Sequence, residues 1–388
     1  MSQAVLTSRE RVLRTLRHEP VDRVPIDLGS HMSTGISAFA YWHLREHLGL
    51  STDHIWVPDL VQFLAYVDED VRQRLHCDCV LLEPPWTRTT RWAPRGRYRF
   101  VVPAEFRPRP TAGAGWAVTR GEQTMRMPEG GYFFDGAWLS SWETCGPDET
   151  IALYAREAER IYQETPYATN FVGYSRGLGF GGYFGGIEHA ISMKRDREAA
   201  RQALLAQCDR QIAHFQRINR AFGQYLQLLS IGDDMGMQSG PLANPELIHD
   251  VCGPAYTRFC RFVHDHSDIK VFMHNCGSIR RLLPYICAWG VDVINPVQIA
   301  SAGMVPEELV DQFGDRLVFW GGGCCTQTVL GTAPPQAVTE HVTGLVQTFG
   351  RKHGYVFNQV HNIMGDVPPA NIVAMFDAAY AAGGGTGA

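Results

Sequence analysis

The stretch IKVFMHNCGSIRRLLPYICAWGVDVI, residues 269–294, contains one complete repeat of the fold. Its first five residues (269–273) form a short apolar run of the kind that makes a buried strand. Across 278–289 the apolar residues fall at spacings of three and four, which predicts a helix packed by one face. Residues 291–294 are again short and β-branched. Strand, helix and strand in so few residues is the parallel βα unit.

Comparable runs recur on both sides, at 23–28 (RVPIDL), 79–82 (CVLL), 170–174 (NFVGY), 227–231 (QLLSI), 317–320 (LVFW) and 354–357 (GYVF). Together they make eight. Helical patterns at 195–221, 244–266 and 335–350 separate the later ones, and Asn244-Pro245-Glu246 carries a helix-start signature of cap, proline and first-turn acid. Pro334-Pro335 and Pro368-Pro369 mark two more starts, with Asp366 as the expected N-cap of the last helix. The expected fold is α/β: a (β/α)8 TIM barrel, with the opening segment as an N-terminal helical extension and the active site at the carboxyl ends of the strands. A doubly wound open sheet is the competing arrangement.

Residues 1–388 are read as one barrel domain. The rhythm breaks over about 84–145, a Pro-, Arg-, Trp- and Gly-rich segment with hairpin-like stretches, read as an antiparallel-strand insertion that either walls the site, supplies a dimer surface or merely decorates the outside. The tail at about 381–388 (AAGGGTGA) is expected to be disordered.

Composition bounds the function. With 45% hydrophobic and 19% charged residues and a net charge of −5 without a Lys/Arg run, the chain lacks the electrostatic footprint of a nucleic-acid binder. It has no apolar run long enough to span a membrane, and its start lacks an apolar signal core, so a cytoplasmic protein with reduced cysteines is expected. Its only lysines are Lys194, Lys270 and Lys352, which argues against Schiff-base chemistry.

The chemistry-bearing residues sit where strands end. His274 and Cys276 are two apart at the end of the 269–273 strand, so extended backbone turns both side chains to one face. Cys324 ends another strand after three glycines in VFWGGGCCTQ. One imidazole and two thiolates suit Zn²⁺ and leave a fourth position open for substrate. Singly, each is as readily a core histidine or a small buried filler; their convergence on one rim carries the reading. Cys325 should point the other way from Cys324. Asp233 and Asp234 follow the strand at 227–231 and are candidates for proton transfer or for orienting a ligand histidine. Gln238, Asn295, Gln298 and Asn362 are placed as polar groups facing substrate, and His361 as a fourth ligand, proton shuttle or substrate contact; loop capping is the competing role for several of them. The glycines of GLGFGGYFGG (177–186) match a nucleotide-binding spacing but have no good helix start behind them, so a flexible loop over the mouth is expected.

TSRERVLRTLRHEPVDRVPID (7–27), GDDMGMQ (232–238), MHNCG (273–277), VDVINPVQ (291–298), GDRLVFWGGGCCTQ (314–327) and VHNIMGDVPPANI (360–372), in that order, resemble the uroporphyrinogen decarboxylase superfamily and in particular its methyltransferase branch. The resemblance runs from about 7 to 380 and implies a (β/α)8 barrel with zinc on His274, Cys276 and Cys324. It also implies an enzyme that moves a methyl group between a small O-, N- or S-methyl compound and a corrinoid or thiol acceptor. No corrinoid-binding D-x-H-x-x-G motif is present, so cobalamin would come on a partner protein or as a free cofactor. Homodimerisation is a further expectation. The porphyrin-decarboxylating relatives follow their first strand with an arginine-rich segment, whereas here DLGSHMSTGI (27–36) contains none between Arg23 and Arg45. A decarboxylase-like lyase, or another zinc-dependent lyase or hydrolase, is the alternative. Cys325 stands where relatives commonly carry an acid.

Overall fold

The computed structural model describes residues 5–137, 139, 142–143 and 145–385. Seven strands pair in parallel, each beside the next in sequence: Cys79–Leu81, Ala168–Phe171, Leu228–Gly232, Lys270–His274, Val293–Asn295, Val318–Trp320 and Tyr355–Val356. The run at 23–28 supplies the eighth position. Ile26 bridges Phe357 in parallel, Phe357 N–H donates to Pro25 O (2.8 Å), and Asp78 N–H donates to Ile26 O (2.7 Å), so the first and last strands meet and the barrel closes. All eight expected runs therefore overlap wall segments, the run at 170–174 only through Asn170 and Phe171 because Gly173 (φ 67) turns the chain there, and the open-sheet alternative falls.

Closure is reinforced at the bottom by charge. The fully buried Asp78 carboxylate accepts from Arg11 (2.6 Å), Arg23 (2.7 Å) and Ile26 N–H (2.9 Å), which ties the N-terminal helix Ser8–Thr15 and the first wall segment to the second. That helix opens on a Thr7–Glu10 capping box. Its Val12 and Leu16 plug the barrel floor, joining Cys79, Ala168, Leu228, Phe272, Val293, Val318, Trp320 and Val356 in one apolar cluster. Burying each of the two plug side chains contributes roughly 1.5–3 kcal/mol.

Side chains alternate along a strand, so positions two residues further up the same inward face form the next layer. There five of the residues become polar: Asn170 follows Ala168, Ser230 follows Leu228, His274 follows Phe272, Asn295 follows Val293 and Asn358 follows Val356, while Leu81 after Cys79 and Trp320 after Val318 stay apolar. An apolar floor under a polar rim confines chemistry to the carboxyl ends.

The helices at Arg197–Phe222, Pro245–His266 and Pro335–Phe349 follow the expected ranges, and Asn244 caps the second through Glu246 N–H (2.8 Å). The helix expected from 278 starts late, at Leu283–Trp289, because Arg280–Leu282 form a turn first. Pro368, not Asp366, is the N-cap of the last helix, Pro369–Ala382. The expected disordered tail overlaps that helix: Ala381 and Ala382 are helical and Gly383 O accepts from Val24 N–H (2.9 Å), while 386–388 lie outside the described residues.

Between the second wall strand and the helix Pro147–Glu164, short antiparallel pairs over Thr89–Trp92, Phe100–Pro103, Arg109–Pro110, Trp116–Arg120, Gln123–Met127 and Asp135–Gly136 build the strand-rich insertion. Phe63, Trp92, Phe100, Phe106 and Phe134 fuse it to the barrel in one aromatic cluster. A second clamp is ionic. The Arg176 guanidinium, wholly buried, bridges Glu83 (2.6 Å) at a wall-strand end and Glu143 (3.1 Å) in the insertion. Residues 138, 140, 141 and 144 of the expected insertion lie outside the described residues.

Candidate functional site

A cavity of about 480 Å³ opens at the carboxyl ends of the strands, lined among others by His31, Tyr174, Asp233, Asp234, His274 and His361. A small chamber of about 50 Å³ adjoins it past His31, Met32 and Tyr174, and the insertion's Leu139 and Trp142 contribute to its wall. Among the described residues neither lining includes a lysine or arginine.

His274 ends its strand and Cys276 lies two residues on, as the spacing requires, with Sγ 3.4 Å from His274 Nε2. Two ligand atoms on one tetrahedral zinc, with Zn–N near 2.1 Å and Zn–S near 2.3 Å, are separated by about 3.6 Å. The pair therefore fits the metal. The third group brought to them is His361: its ligand atom and those of His274 and Cys276 all lie within 4.8 Å of one another. His361 sits in the left-handed region (φ 60), which folds its ring back so that Nδ1 accepts the Asn362 N–H at 2.9 Å. Binding a metal through Nε2 would require that hydrogen bond to be given up, so His361 is the weaker ligand of the set. Burial, with His274 nearby, pushes its pKa down to about 4, leaving the ring neutral at pH 7.

Cys324 departs from expectation. Its thiol is fully buried, is not among the clustered ligand atoms, and has Cys325 and Tyr355 as its electrostatic neighbours instead of His274 or Cys276. Gly321 (φ 111) and Gly322 (φ 76) turn the chain before it in a way no strand periodicity foretells. Cys325 is likewise occupied, accepting at Sγ from Thr328 Oγ1 at 3.1 Å.

The two acids divide their work. Asp234 is exposed toward the cavity, and its Oδ1 accepts from Cys276 N–H (3.1 Å) and lies 3.5 Å from His274 Nε2. Burial and this carboxylate both push the Cys276 thiol well up, so without a metal it keeps its proton. Asp233 is a clamp. Its carboxylate accepts from Phe184 N–H (2.6 Å), Gly185 N–H (3.4 Å) and the Tyr256 hydroxyl. The glycine-rich segment is therefore pinned: Phe180–Gly181 pairs with Ile231–Gly232, and Gly182 packs so tightly on Asp233 that a Cβ would collide with the carboxylate.

Among the other expected contacts, Gln238 accepts from Ser301 Oγ (2.6 Å) and Gln298 Nε2 (3.2 Å), and Gln298 accepts in turn from Gly277 N–H (2.8 Å), so both brace the loop after Cys276. Asn362 is spent on Gly35 N–H (2.8 Å), Met32 O (2.8 Å) and Gln62 (2.9 Å), stitching the first loop to the last. Asn295 is fully buried and faces His274, whose Nδ1 lies 3.3 Å from its Oδ1. His31 was not singled out from sequence. It is buried under the cavity between Ser33 Oγ (2.7 Å) and Ser230 Oγ (2.8 Å), with its ring stacked on His274 at 5.7 Å. A lone histidine in a Gly/Ser loop carries no spacing signal that would have found it.

Residues 181–382 match the family model for uroporphyrinogen decarboxylase, which is more than half of the 388-residue chain. Among solved structures, a methyltransferase from Methanosarcina mazei superposes with a TM-score of 0.55 at 15% identity, covering 96% of this chain and 98% of that one, a likeness that speaks to fold. No curated protein sequence matches significantly.

Proposed function

The chain belongs to the uroporphyrinogen decarboxylase family, and from that premise we propose that it is a zinc-dependent methyltransferase acting on a small O-, N- or S-methyl compound, with a corrinoid or thiol as methyl acceptor. The observation that carries the reading is the His274–Cys276 pair, set 3.4 Å apart at the mouth of a cavity whose lining, among the described residues, includes no lysine or arginine. A cavity without lysine or arginine is ill suited to gripping a polycarboxylate porphyrin, which turns the reading away from decarboxylation.

His274 and Cys276 would hold the metal, with His361 as the third ligand in place of the expected Cys324. When bound, zinc supplies a Lewis acid that keeps a substrate thiol ionised or weakens the bond from a methyl group to its heteroatom. Asp234 stands where it can take the proton released when the Cys276 thiol or a substrate thiol ionises. Asp233 keeps the glycine-rich wall in place, and the insertion closes one side. On this reading any cobalamin is delivered by a partner protein or arrives free, and the subunit pairs with a second copy. Among the described residues no helix is long and apolar enough to cross a membrane, and the described cysteines are all free, which supports a reducing compartment, the cytoplasm.

A lyase or hydrolase reading is favoured by one observation, the exposed Asp234 carboxylate, which could serve as base to water. Metal analysis followed by turnover assays separates these. The methyltransferase reading expects about one zinc per chain, lost in His274→Ala and Cys276→Ala, weakened in His361→Ala and retained in Cys324→Ala, with turnover only when cobalamin or a thiol is supplied. Absence of zinc from the wild type under reducing conditions sinks it; turnover without an acceptor transfers the case to the hydrolytic reading.

A further inference from the structure

We propose that Asn295, braced by Ser33 and His31, is a positioning residue that decides which nitrogen of His274 carries the ring proton and so prepares that ring to hold a metal. Its consequence for metal rests on the zinc reading above, but its geometry does not.

Asn295 Nδ2 donates to Trp320 O at 2.9 Å, and a carbonyl oxygen can only accept, so the amide cannot be turned end for end. Its Oδ1 is thereby directed at the two groups on its other side: Ser33 Oγ, which donates to it in a short hydrogen bond, and His274 Nδ1 at 3.3 Å. An amide oxygen has no proton to give. Nδ1 therefore carries the hydrogen in this bond, while Nε2 faces Cys276 Sγ at 3.4 Å; the Asp234 Oδ1 that lies 3.5 Å from Nε2 competes for the proton but already accepts from Cys276 N–H. That is the tautomer a metal ligand needs, selected by the partner of the other ring nitrogen.

The brace extends one step further. Both ring nitrogens of His31 are taken, Nδ1 by Ser33 Oγ (2.7 Å) and Nε2 by Ser230 Oγ (2.8 Å), so His31 offers no lone pair to a metal. Its ring instead stacks on His274 with 24° between the planes. His31 and Ser33 lie in the loop after the first wall segment, Asn295 ends a wall strand 262 residues beyond Ser33, and all three are buried. None of them needs to touch substrate for this role.

The test reads the tautomer in the metal-free protein by nitrogen NMR with ¹⁵N-labelled histidine, His274→Gln identifying the resonances, and reads zinc affinity separately by competition with a chromogenic chelator. The expected result is a wild-type His274 protonated on Nδ1. In Asn295→Leu the proton should shift toward Nε2, and zinc affinity should fall by about 10–100-fold, the usual effect of losing a partner that orients a ligand. Asn295→Asp gives up the bond to Trp320 O but retains an acceptor for Nδ1, so it should keep the Nδ1 proton and lose less zinc affinity than the leucine variant; Ser33→Ala should move both in the same direction as the leucine variant, by less. The inference is overturned if Asn295→Leu keeps the Nδ1 proton and wild-type affinity, or if the aspartate is as impaired as the leucine, which would make the amide a space-filler. Should the leucine variant not fold, the Ser33→Ala and Asn295→Asp spectra decide alone. A wild type that takes up no zinc would sink the zinc reading, while the tautomer populations would still decide this one.

Discussion

Replacing Arg176 with methionine should be among the costliest single changes in the molecule outside the barrel core. The guanidinium is wholly buried and hydrogen-bonds four groups: Glu83 at 2.6 Å, Glu143 at 3.1 Å, and the carbonyls of Pro84 (2.8 Å) and Pro85 (3.0 Å). Glu83 also accepts from the Tyr154 hydroxyl (2.7 Å), and Glu143 from Thr87 and Arg88 N–H groups (3.0 Å each). At about 4 Å and an effective dielectric near 20, each ion pair is worth about 4 kcal/mol before desolvation. Burying the cation offsets much of that, and breaking one buried pair typically costs about 3–5 kcal/mol because a carboxylate is stranded. We expect a loss of that order in chemical denaturation followed by circular dichroism. The deficit should also depend on pH. Burial already pushes the Glu83 carboxyl up, with Arg176 opposing; without Arg176 it rises further. A carboxyl whose folded pKa lies above its unfolded value destabilises the fold as pH rises from the unfolded value to the folded one, so the deficit relative to wild type should grow with pH above the raised wild-type Glu83 pKa and level off above the variant's still higher one. Adding Glu83→Gln removes the stranded charge and should recover part of the loss. A variant within 1 kcal/mol of wild type, or a deficit flat with pH and untouched by Glu83→Gln, would refute the reasoning.

Asp292 offers the opposite pH signature. Burial pushes its carboxyl up, but His264 (2.7 Å), Lys270 (3.1 Å) and the Val271 N–H (2.8 Å) more than offset it, so the net shift is downward. Asp292→Asn should lose about 1–3 kcal/mol at neutral pH, with the gap to wild type closing as pH falls below the ordinary aspartate value near 4; a gap that persists in acid would contradict the assignment. Gly182→Ala should dislodge 182–186 from Asp233, seen as faster amide exchange at Phe184 and Gly185, and unchanged protection there would show that the clamp is not what holds the segment.

Much of this was legible along the chain, because it depends on neighbours in sequence. Strand and helix periodicity located all eight wall segments, and the i, i+2 spacing of His274 and Cys276 placed both side chains on one face wherever the strand went. Asn244 announced a helix start through residues next to it. What the tertiary structure decided was the company each residue keeps. His361 reaches the pair from 87 positions away only because the barrel closes and a left-handed turn folds its ring inward. Cys324 misses it because two glycines at positive φ set a direction that no alternation rule can supply. Asn295 faces a histidine instead of a substrate because the carbonyl of Trp320, a residue of the neighbouring strand, fixes the amide. Local spacing limits where a side chain starts from; which groups meet in three dimensions depends on closure, loop dihedrals and distant hydrogen-bond partners, none of which leaves a period in the sequence.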